Sequence, residues 1–421
     1  MTTNQPQKNI LNDWQLIPVG DIFTFVKTYA FSRDNLSMGV LSAENIGNIH
    51  YGDIHSTYAS KNIDVSKIEI PIVKDINFIP KKEDLLKNGD IVMADASEDY
   101  EGVGVTITMH GINKNNVIGG LHTYVLRDQK GKTTEYYRQY IFSNPLVRNK
   151  LQKIANGVSV YGISKVAVSK VNLPLPPLPE QKRIVQVLET WDYAIEALNK
   201  KIEHKKKIKK GLMQELLTGK RRLPGFNDEW NTIKLQDICS IIMGQSPPSV
   251  DYNETSRGIP LIQGNNDIKN RKTRPRVWTT QITKTGKKGD IIMTVRAPVG
   301  RIGVATTNIC IGRGVCVIRA IKVDRNYILK CLENFENRWK SFEQGSTFTA
   351  VNSKDIKSLP LIIPKSKKEQ TAIAIALGAS DREIEQLERK LSIVQDQKKY
   401  LLNNLITGTL RTPETIKIKK K

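Results

Sequence analysis

The feature that most constrains this chain is a repeat whose period is about half of its 421 residues. The segment QLIPVGDIF after Trp14 is echoed as NTIKLQDIC after Trp230, and GDIVM at 89–93 is echoed as GDIIM at 289–293. The offset between matching positions drifts from 216 through 200 to 186 (Leu173-Pro174-Leu175 with Leu359-Pro360-Leu361) and then stays at 189. A duplication of this kind predicts two similar globular halves, each followed by a segment that tolerates no insertion.

The segments with the constant offset have the spacing of long helices. Apolar residues recur at alternating steps of four and three, which is typical of a coiled-coil seam. Eight of ten seam positions are apolar in each copy: Ile184, Leu188, Trp191, Ile195, Leu198, Ile202, Lys205, Lys209, Leu212 and Leu216, then Ile373, Leu377, Ser380, Ile384, Leu387, Leu391, Val394, Lys398, Leu401 and Leu405. Gly219 and Gly408 follow the two seams as stop signals.

Each predicted helix is about 38 residues, or ~57 Å, long and carries one narrow apolar stripe that needs a partner. The chain order is domain, helix, domain, helix, so the second helix must lead back toward the first domain. We therefore predict that the two helices pair as an antiparallel coiled coil and that the molecule has an approximate two-fold axis. Pairing of each helix with a second copy of the chain is the alternative.

The globular halves carry strand patterns. The runs LKNGDIVMADAS (86–97) and KKGDIIMTVRAP (287–298) each indicate a turn followed by a buried strand, as do 121–127 and 314–320 for further strands. The predicted fold class is α+β, with two similar mixed α/β domains joined by two long helices. The predicted segments are a first domain (1–172), a central helical spacer (173–222), a second domain (223–360), a distal helical spacer (361–411) and a basic tail (412–421).

The charge balance points to a polyanion partner. Lys and Arg number 65 against 42 Asp and Glu, a net charge of +23, and nucleic acid is the first candidate for such a partner. A merely basic protein without such a ligand is the alternative. No apolar run approaches the ~20 residues of a membrane span, and the polar N-terminus lacks the pattern of a signal peptide, so we expect a cytoplasmic protein.

Motifs of catalysis and metal binding are missing from the sequence. It contains no GxxxxGK[ST] phosphate loop and no HExxH motif. The four cysteines form no CxxC pair, and we expect reduced thiols packed in a core, with no metal site. An enzyme is therefore the weaker class.

With these residues in view, the chain resembles the specificity subunit of type I restriction–modification systems over nearly its whole length. The matching segments are 86–104 (LKNGDIVMADASEDYEGVG) and 119–127 (GGLHTYVLR), 244–249 (GQSPPS), 258–268 (GIPLIQGNNDI) and 288–303 (KGDIIMTVRAPVGRIG), and the helix starts 173–188 and 359–377. They resemble two versions of the family's target-recognition domain and its two helical regions. The start of the second helical region departs from this pattern. It has KSKK (365–368) before Glu369, whereas the first copy has PLP (177–179) before Glu180.

The resemblance implies a protein with no catalytic site and no cofactor of its own. Each target-recognition domain would read one part of a split, asymmetric site in double-stranded DNA. The helices would fix the gap between the parts and dock two methyltransferase subunits. Those partners would bind S-adenosylmethionine, a motor subunit would use ATP, and whether restriction–translocation subunits join is left open. No membrane is involved.

Phosphate contacts supply affinity and base contacts supply specificity, so we look for polar side chains on loops. In the first domain the predicted DNA-binding residues are Arg33, Tyr51, His55, Ser97, Tyr100 and His122. In the second they are Gln245, Ser246, Gln263, Asn265, Arg271, Arg274, Arg276, Arg296, Arg301 and Arg313. The alternatives are a solvated charge run for KNRKTRPR (269–276), turn capping for the amides and Ser246, structural ion pairs for the last three arginines, and a core position for His122.

The predicted partner-binding residues lie on the helices: Gln181, Ile184, Trp191, Gln370 and Ile373. A lysine run at 200–210 is expected to face DNA, an acidic partner or solvent. The alternative function is a stand-alone bipartite DNA-binding protein without methyltransferase partners. A nuclease or methyltransferase acting as a single chain, and a coiled-coil scaffold, are alternatives from other classes.

Overall fold

A computed structural model of the chain describes residues 13–58, 62–113, 116–343 and 350–417. The polar N-terminal stretch before residue 13 and positions 418–421 of the predicted basic tail lie outside the described residues. Contacts group the chain into a first unit, Met1–Ala197 with Leu391–Lys421, and a second unit, Leu198–Lys390. Each unit therefore holds one globular half together with half of each long helix, whereas the sequence-based division treats the helices as separate segments.

All of the described strands of the first unit precede the first long helix. Its strands are β1 (Gln15–Pro18), β2 (Phe23–Val26), β3 (Leu36–Gly39), β4 (Ile46–Ile49), β5 (Asn62–Asp64), β6 (Ile70–Val73), β7 (Ile91–Ala94), β8 (Ala96–Ser97), β9 (Thr106–His110), β10 (Asn116–Gly119), β11 (Thr123–Asp128), β12 (Tyr161–Gly162) and β13 (Asn172–Leu175). Its short helices are α1 (Val19–Ile22), α2 (Tyr51–Ser56), α3 (Arg138–Ile141), α4 (Pro145–Lys153) and α5 (Lys165–Ser169). The first long helix is α6 (Leu178–Leu216).

The second unit has a similar order of elements. Its strands are β14 (Trp230–Lys234), β15 (Cys239–Met243), β16 (Tyr252–Asn253), β17 (Ile259–Ile262), β18 (Ile268–Lys269), β19 (Lys272–Thr273), β20 (Val277–Thr279), β21 (Thr285–Gly286), β22 (Ile291–Thr294), β23 (Ile302–Val304), β24 (Ile309–Ile311), β25 (Val315–Ala320) and β26 (Pro360–Pro364). Its helices are α7 (Leu235–Ile238), α8 (Arg325–Glu343), α9 (Ser353–Lys357) and the long α10 (Lys367–Thr407), which begins within the KSKK segment.

The described strands of each unit form a small antiparallel pair and two larger mixed sheets. In the first unit the orders are β1-β13, β2-β11-β7-β9-β5 and β10-β4-β6-β3, with β12-β8 as a further pair. In the second they are β14-β26, β15-β25-β22-β23-β19-β18 and β16-β20-β17-β24-β21. The predicted α+β class with two similar domains is confirmed within each unit.

The central strands β7 and β22 explain the repeated apolar runs. Ile91 and Met93 of β7 point into a core shared with the helices, while Val92 and Ala94 point into a core between the two larger sheets. In β22, Ile291 and Met293 likewise point into one core and Ile292 into another. Because both faces are covered, the strand reads as a continuous apolar run rather than an alternating one.

The Gly-Asp pair that recurs before these two strands has an electrostatic reason. The buried Asp90 accepts hydrogen bonds from the guanidinium of Arg127 at 2.6 to 3.1 Å and from the backbone N–H of Lys87 at 2.8 Å. In the second unit Asp290 accepts from Arg319 at 2.6 to 3.2 Å in the same manner. An aspartate at the strand entry is thus needed to neutralise an arginine of the neighbouring strand.

The long helices pair in opposite directions within each unit. All of the predicted seam positions are buried or half-buried. In the first unit Lys398 of α10 pairs with Asp192 of α6, and in the second Lys209 of α6 pairs with Asp381 of α10. The lysines that interrupt the apolar seam therefore form interhelical ion pairs. Lys205 and Lys206, from the same lysine run, also pair with carboxylates of α10.

A buried glutamate at the start of each long helix is bound by an arginine that follows the end of the other. In the first unit Arg411 donates two hydrogen bonds of 2.7 Å to Glu180, which also accepts from the indole N–H of Trp14 at 3.1 Å. In the second unit Arg222 donates bonds of 2.6 and 2.8 Å to Glu369 and lies over the ring of a tryptophan, Trp230. We call each of these arginine–glutamate pairs a clamp. Each clamp joins the two long helices to the tryptophan at the start of the first strand of its unit.

Strand pairing corrects one sequence match. Leu173 lies opposite Ile17, and Leu361 lies opposite Ile233. Since Ile17 and Ile233 match at an offset of 216, Leu173 corresponds to Leu361 rather than to Leu359, and the offset before the long helices is 188. The sequence match of the two Leu-Pro-Leu runs was wrong by two residues because the same short motif occurs in β13 and just at the start of β26.

The predicted packing of the cysteines is confirmed. All four are free and buried. Burial raises the pKa of the Cys239 thiol to about 12, so this thiol stays protonated and unreactive at neutral pH.

We expect Arg222→Ala to destabilise the second unit by about 3 kcal/mol, because it leaves the fully buried Glu369 carboxylate without its partner. The midpoint of guanidinium denaturation measures this loss. Arg221→Ala is the matched control, since Arg221 pairs with Glu215 at 3.5 Å on an exposed surface and should cost at most about 0.5 kcal/mol. Equal effects of the two variants would contradict the role of the clamp.

Candidate nucleic-acid interface

The first candidate surface surrounds α2 in the first unit. The ring of Tyr51 stands edge-on to two imidazoles, with centroid distances of 6.2 Å to His55 and 5.3 Å to His122. His55 also places Nε2 3.3 Å from the carbonyl oxygen of Ala96. Three of the predicted DNA-binding residues, from distant parts of the sequence, are thereby brought together.

His122 is held in place by a half-buried carboxylate. Its φ of 52° lies in the left-handed region, which is uncommon for any residue other than glycine. Its Nδ1 lies 3.2 Å from Oδ1 of Asp95, and its side chain is 51% exposed, so a core position for His122 is wrong. Burial raises the pKa of Asp95, and His122 acts in the opposite direction. One ring nitrogen is thus fixed while the rest of the imidazole faces outward.

Arg33 and His50 support the same surface. Arg33 donates bonds of 3.1 and 2.8 Å to Asp53, which is buried, while half of the Arg33 side chain stays exposed. Nδ1 of His50 accepts a hydrogen bond from the backbone N–H of Gly52 at 3.1 Å. Burial, followed by the charge of Arg33, lowers the pKa of His50. His50 is therefore neutral at neutral pH and packs beside Tyr51.

Two further predicted DNA-binding residues of this unit, Ser97 and Tyr100, differ in their exposure to solvent. Ser97 is only 3% exposed, and its hydroxyl oxygen accepts from the backbone N–H of Asp99 at 3.2 Å. The hydroxyl is used inside the protein to shape the loop, and a direct DNA contact of Ser97 stays a prediction. Tyr100 is 43% exposed and stands edge-on to Tyr161, with ring centroids 5.5 Å apart.

The second candidate surface lies where the loops after β15, β17 and β24 meet. The hydroxyl oxygen of Ser246 accepts a hydrogen bond from the backbone N–H of Arg313 at 3.1 Å, and the Arg313 side chain is exposed. Gln263 lies beside Gly312, where an added Cβ would stand 3.3 Å from both Gln263 and Ser246. Gln245 precedes Ser246 and is exposed. Amide, hydroxyl and guanidinium groups are thus gathered on one edge of this unit.

A buried aspartate extends this surface. Asp267 accepts hydrogen bonds from the backbone N–H groups of Gln263 at 2.8 Å and Gly264 at 3.2 Å, and from Nε of Arg276 at 3.0 Å. The Arg276 side chain remains 57% exposed. Beside it is a shallow, open depression of about 330 Å³ lined by Asn265, Asn266, Ile268, Lys269 and Arg276.

The other predicted arginines lie in two different settings. Arg274, Arg296 and Arg301 are exposed and make no ion pair with another residue that the structure describes. Arg271 instead pairs with Glu336 of α8 and donates to the carbonyl of Ile302 at 3.3 Å. A structural ion pair was the alternative for Arg296, Arg301 and Arg313. The structure has such a pair at Arg271 instead.

Four of the five predicted partner-binding residues are buried in their own units, namely Gln181, Ile184, Gln370 and Ile373. The side-chain oxygen of Gln181 accepts from the backbone N–H of Thr134, and that of Gln370 from the backbone N–H of Asp324, both at 2.8 Å. These four residues attach the helix starts to the domains, and their contact with a partner stays a prediction. Trp191 is half-buried, and its contact with a partner stays a prediction.

Sequence reasoning missed the acidic residues that organise both surfaces. Asp53 and Asp95 hold Arg33 and His122, and Asp267 holds Arg276. Nothing in their sequence context distinguishes these aspartates from solvated ones.

Neither a metal centre nor a membrane span is found in the described ranges. Among these residues, no cluster of three or more His, Cys, Asp or Glu side chains could hold a metal ion. None of the helices in the described part of the chain is both long and apolar enough to cross a membrane.

Comparison with known proteins agrees with the resemblance. The family described as the type I restriction modification DNA specificity domain matches twice, at residues 12–206 and 227–395. A relative is the putative type I restriction enzyme MjaX specificity subunit of Methanocaldococcus jannaschii, 30% identical over 421 residues, which cover 96% of this chain and 95% of that protein.

Solved structures show the same fold. A chain from a study of complex assembly and conformational transition of the type I R-M system has a TM-score of 0.65 at 22% identity, covering 97% of this chain and all of that one. The HsdS subunit from Thermoanaerobacter tengcongensis has a TM-score of 0.52 at 22% identity with the same coverage. The two family matches and the full-length relative establish that this chain belongs to the type I restriction–modification DNA specificity family.

Proposed function

We propose that this chain is the DNA sequence-recognition subunit of a type I restriction–modification complex and that catalysis lies in its partner subunits. The observation that carries the proposal is the presence of one polar loop surface on each of two units that are built on the same frame. The net charge of +23 favours a polyanion as the ligand of these surfaces.

The two surfaces suit different bases. The first presents imidazole and phenol groups, and the second presents amides and guanidinium groups. Bases differ in the donors and acceptors that they display in the major groove, so surfaces of different chemistry select different sequences. Each unit would therefore read one part of a split, asymmetric site.

The proposed contacts are the predicted residues whose side chains reach solvent. In the first unit they are Arg33, Tyr51, His55, Tyr100 and His122. In the second they are Gln245, Ser246, Gln263, Asn265, Arg274, Arg276, Arg296, Arg301 and Arg313. The exposed arginines suit phosphates or guanine edges, and the amides suit adenine.

The partners are double-stranded DNA and two methyltransferase subunits, with S-adenosylmethionine bound by the latter. The five-part division of the chain is retained as a functional one, with 1–172 and 223–360 reading DNA, 173–222 and 361–411 setting the gap, and 412–421 as a basic tail. The cytoplasm is the proposed location, because the DNA and these partners are found there.

We expect the chain to co-purify with two methyltransferase subunits encoded beside it, and the complex to methylate a bipartite site. Long-read methylation sequencing of a host that carries all the subunits identifies this site. Tight sequence-specific DNA binding by the chain alone, with no associated methyltransferase, would favour the stand-alone DNA-binding alternative. Methylation by the purified single chain would contradict the absence of a catalytic site.

Exchange of residues 14–155 for the first domain of another family member should change only one half of the methylated sequence. The physical reason is that the second unit keeps its own core and loops. The matched control is exchange of the corresponding part of the second unit, which should change only the other half. A change in both halves after either exchange would contradict independent reading by the two units.

Insertion of four residues after Ala197 and four after Lys390 should lengthen the recognised gap by one or two base pairs without changing either half. Four residues add about 6 Å and keep the apolar seam nearly in phase. The control inserts two residues at each position, which turns the two ends of each seam about 200° apart and should abolish methylation. An unchanged gap with four inserted residues would exclude the helices as the element that sets it.

A further inference from the structure

The hairpin of β18 and β19 contains an arginine at a position that favours glycine. Its two turn residues, Asn270 and Arg271, have φ values of 49° and 60°. Two-residue hairpin turns of this kind require positive φ at both positions, and glycine is preferred at the second. Asparagine tolerates this conformation, whereas arginine is strained by about 1 kcal/mol. Arg271 therefore needs a compensating interaction through its side chain.

Glu336 supplies that interaction from α8. The guanidinium of Arg271 forms an ion pair with Glu336 and also donates to the carbonyl of Ile302 at 3.3 Å. The same carboxylate oxygen of Glu336 accepts from the backbone N–H of Ile302 at 2.7 Å. One carboxylate thus joins the tip of the hairpin, the start of β23 and a helix of 19 residues.

The base of the hairpin is fixed as well. Ile268 packs on Gly303, where an added Cβ would stand 2.8 Å from the isoleucine side chain. The hydroxyl of Thr273 lies 3.0 Å from that of Thr306 and accepts from its backbone N–H at 2.9 Å. Since base and tip are both attached, the hairpin can hold one orientation on the edge of its sheet.

The hairpin and the residue that follows it carry a cluster of exposed basic side chains. Lys269, Lys272 and Arg274 are exposed and make no ion pair with a residue in the described ranges. Lys269 also lines the depression beside Arg276. The orientation of the hairpin therefore decides where these cations and the adjoining asparagines stand relative to a bound duplex.

We propose that Arg271 and Glu336 are positioning residues for the half-site read by the second unit, and that Arg271 acts by fixing the hairpin rather than by touching DNA. This role rests on the proposed function of the chain. Misplacement of a contact group by about 1 Å is enough to weaken recognition, so a tether at the hairpin tip should affect discrimination more than overall affinity.

The test uses the complete complex with its methyltransferase subunits and three variants, Arg271→Gly, Glu336→Ala and the double variant. Arg271→Gly removes the tether and the backbone strain together, so the thermal unfolding midpoint should change little. Binding is measured on the methylated target sequence and on duplexes with one substituted base pair in either half. It is repeated over a range of salt concentrations.

Each of the three variants should lower discrimination in the half read by the second unit by about tenfold. The double variant should be no worse than either single one, because both remove the same tether. Discrimination in the other half and the salt dependence should stay unchanged. Lys269→Ala is the contrasting control: it should weaken binding to all duplexes and lower the salt slope by about one.

Two results would overturn the positioning role alone. A salt slope lowered by Arg271→Gly but not by Glu336→Ala would make Arg271 a direct phosphate contact. Unchanged discrimination in all three variants, with normal discrimination by the wild-type complex, would leave the tether without a role in reading. If the wild-type complex bound every duplex equally, the proposed function itself would fail.

Discussion

Each unit depends on a buried carboxylate at the start of one long helix that is bound by an arginine beyond the end of the other. A charge removed from water at the positions of Glu180 and Glu369 would be costly without a partner. Arg411 and Arg222 supply two charge-assisted hydrogen bonds each, at 2.6 to 2.8 Å. Because the pair forms only when the start of one helix meets the end of the other, this interaction fixes the register of the two helices within its unit.

This requirement accounts for the constant offset of 189 along the helical segments. The interhelical pair of Lys398 with Asp192 recurs as Lys209 with Asp381 at that same offset. An inserted residue between clamp and pair would turn one of them about 100° away from its partner.

Elements that occur twice could be predicted, because a duplication is visible within a single sequence. The helix seam and the Gly-Asp pairs at the strand starts are examples. The exposure of single polar residues could not be predicted in this way. Ser97, Gln181 and Gln370 were expected to face DNA or a partner, yet each bonds to backbone groups inside the protein. A short polar side chain satisfies buried backbone groups as readily as it contacts a ligand. Glu336 escaped notice because it lies 65 residues from the arginine that it holds.

The two units share the parts that build the frame and differ in the parts that reach solvent. Asp90 with Arg127 and Asp290 with Arg319 form the same buried pair at the same point of the sheet. On the loops that reach solvent, one unit displays histidine and tyrosine rings, and the other displays amides and arginines. Substitutions on the loops can change the groups that a unit presents without removing the buried pair, because the loop side chains that reach solvent are not part of the core. A duplicated frame with divergent loops therefore fits the proposed target with two unlike halves, because a pair of identical surfaces would favour a symmetric one.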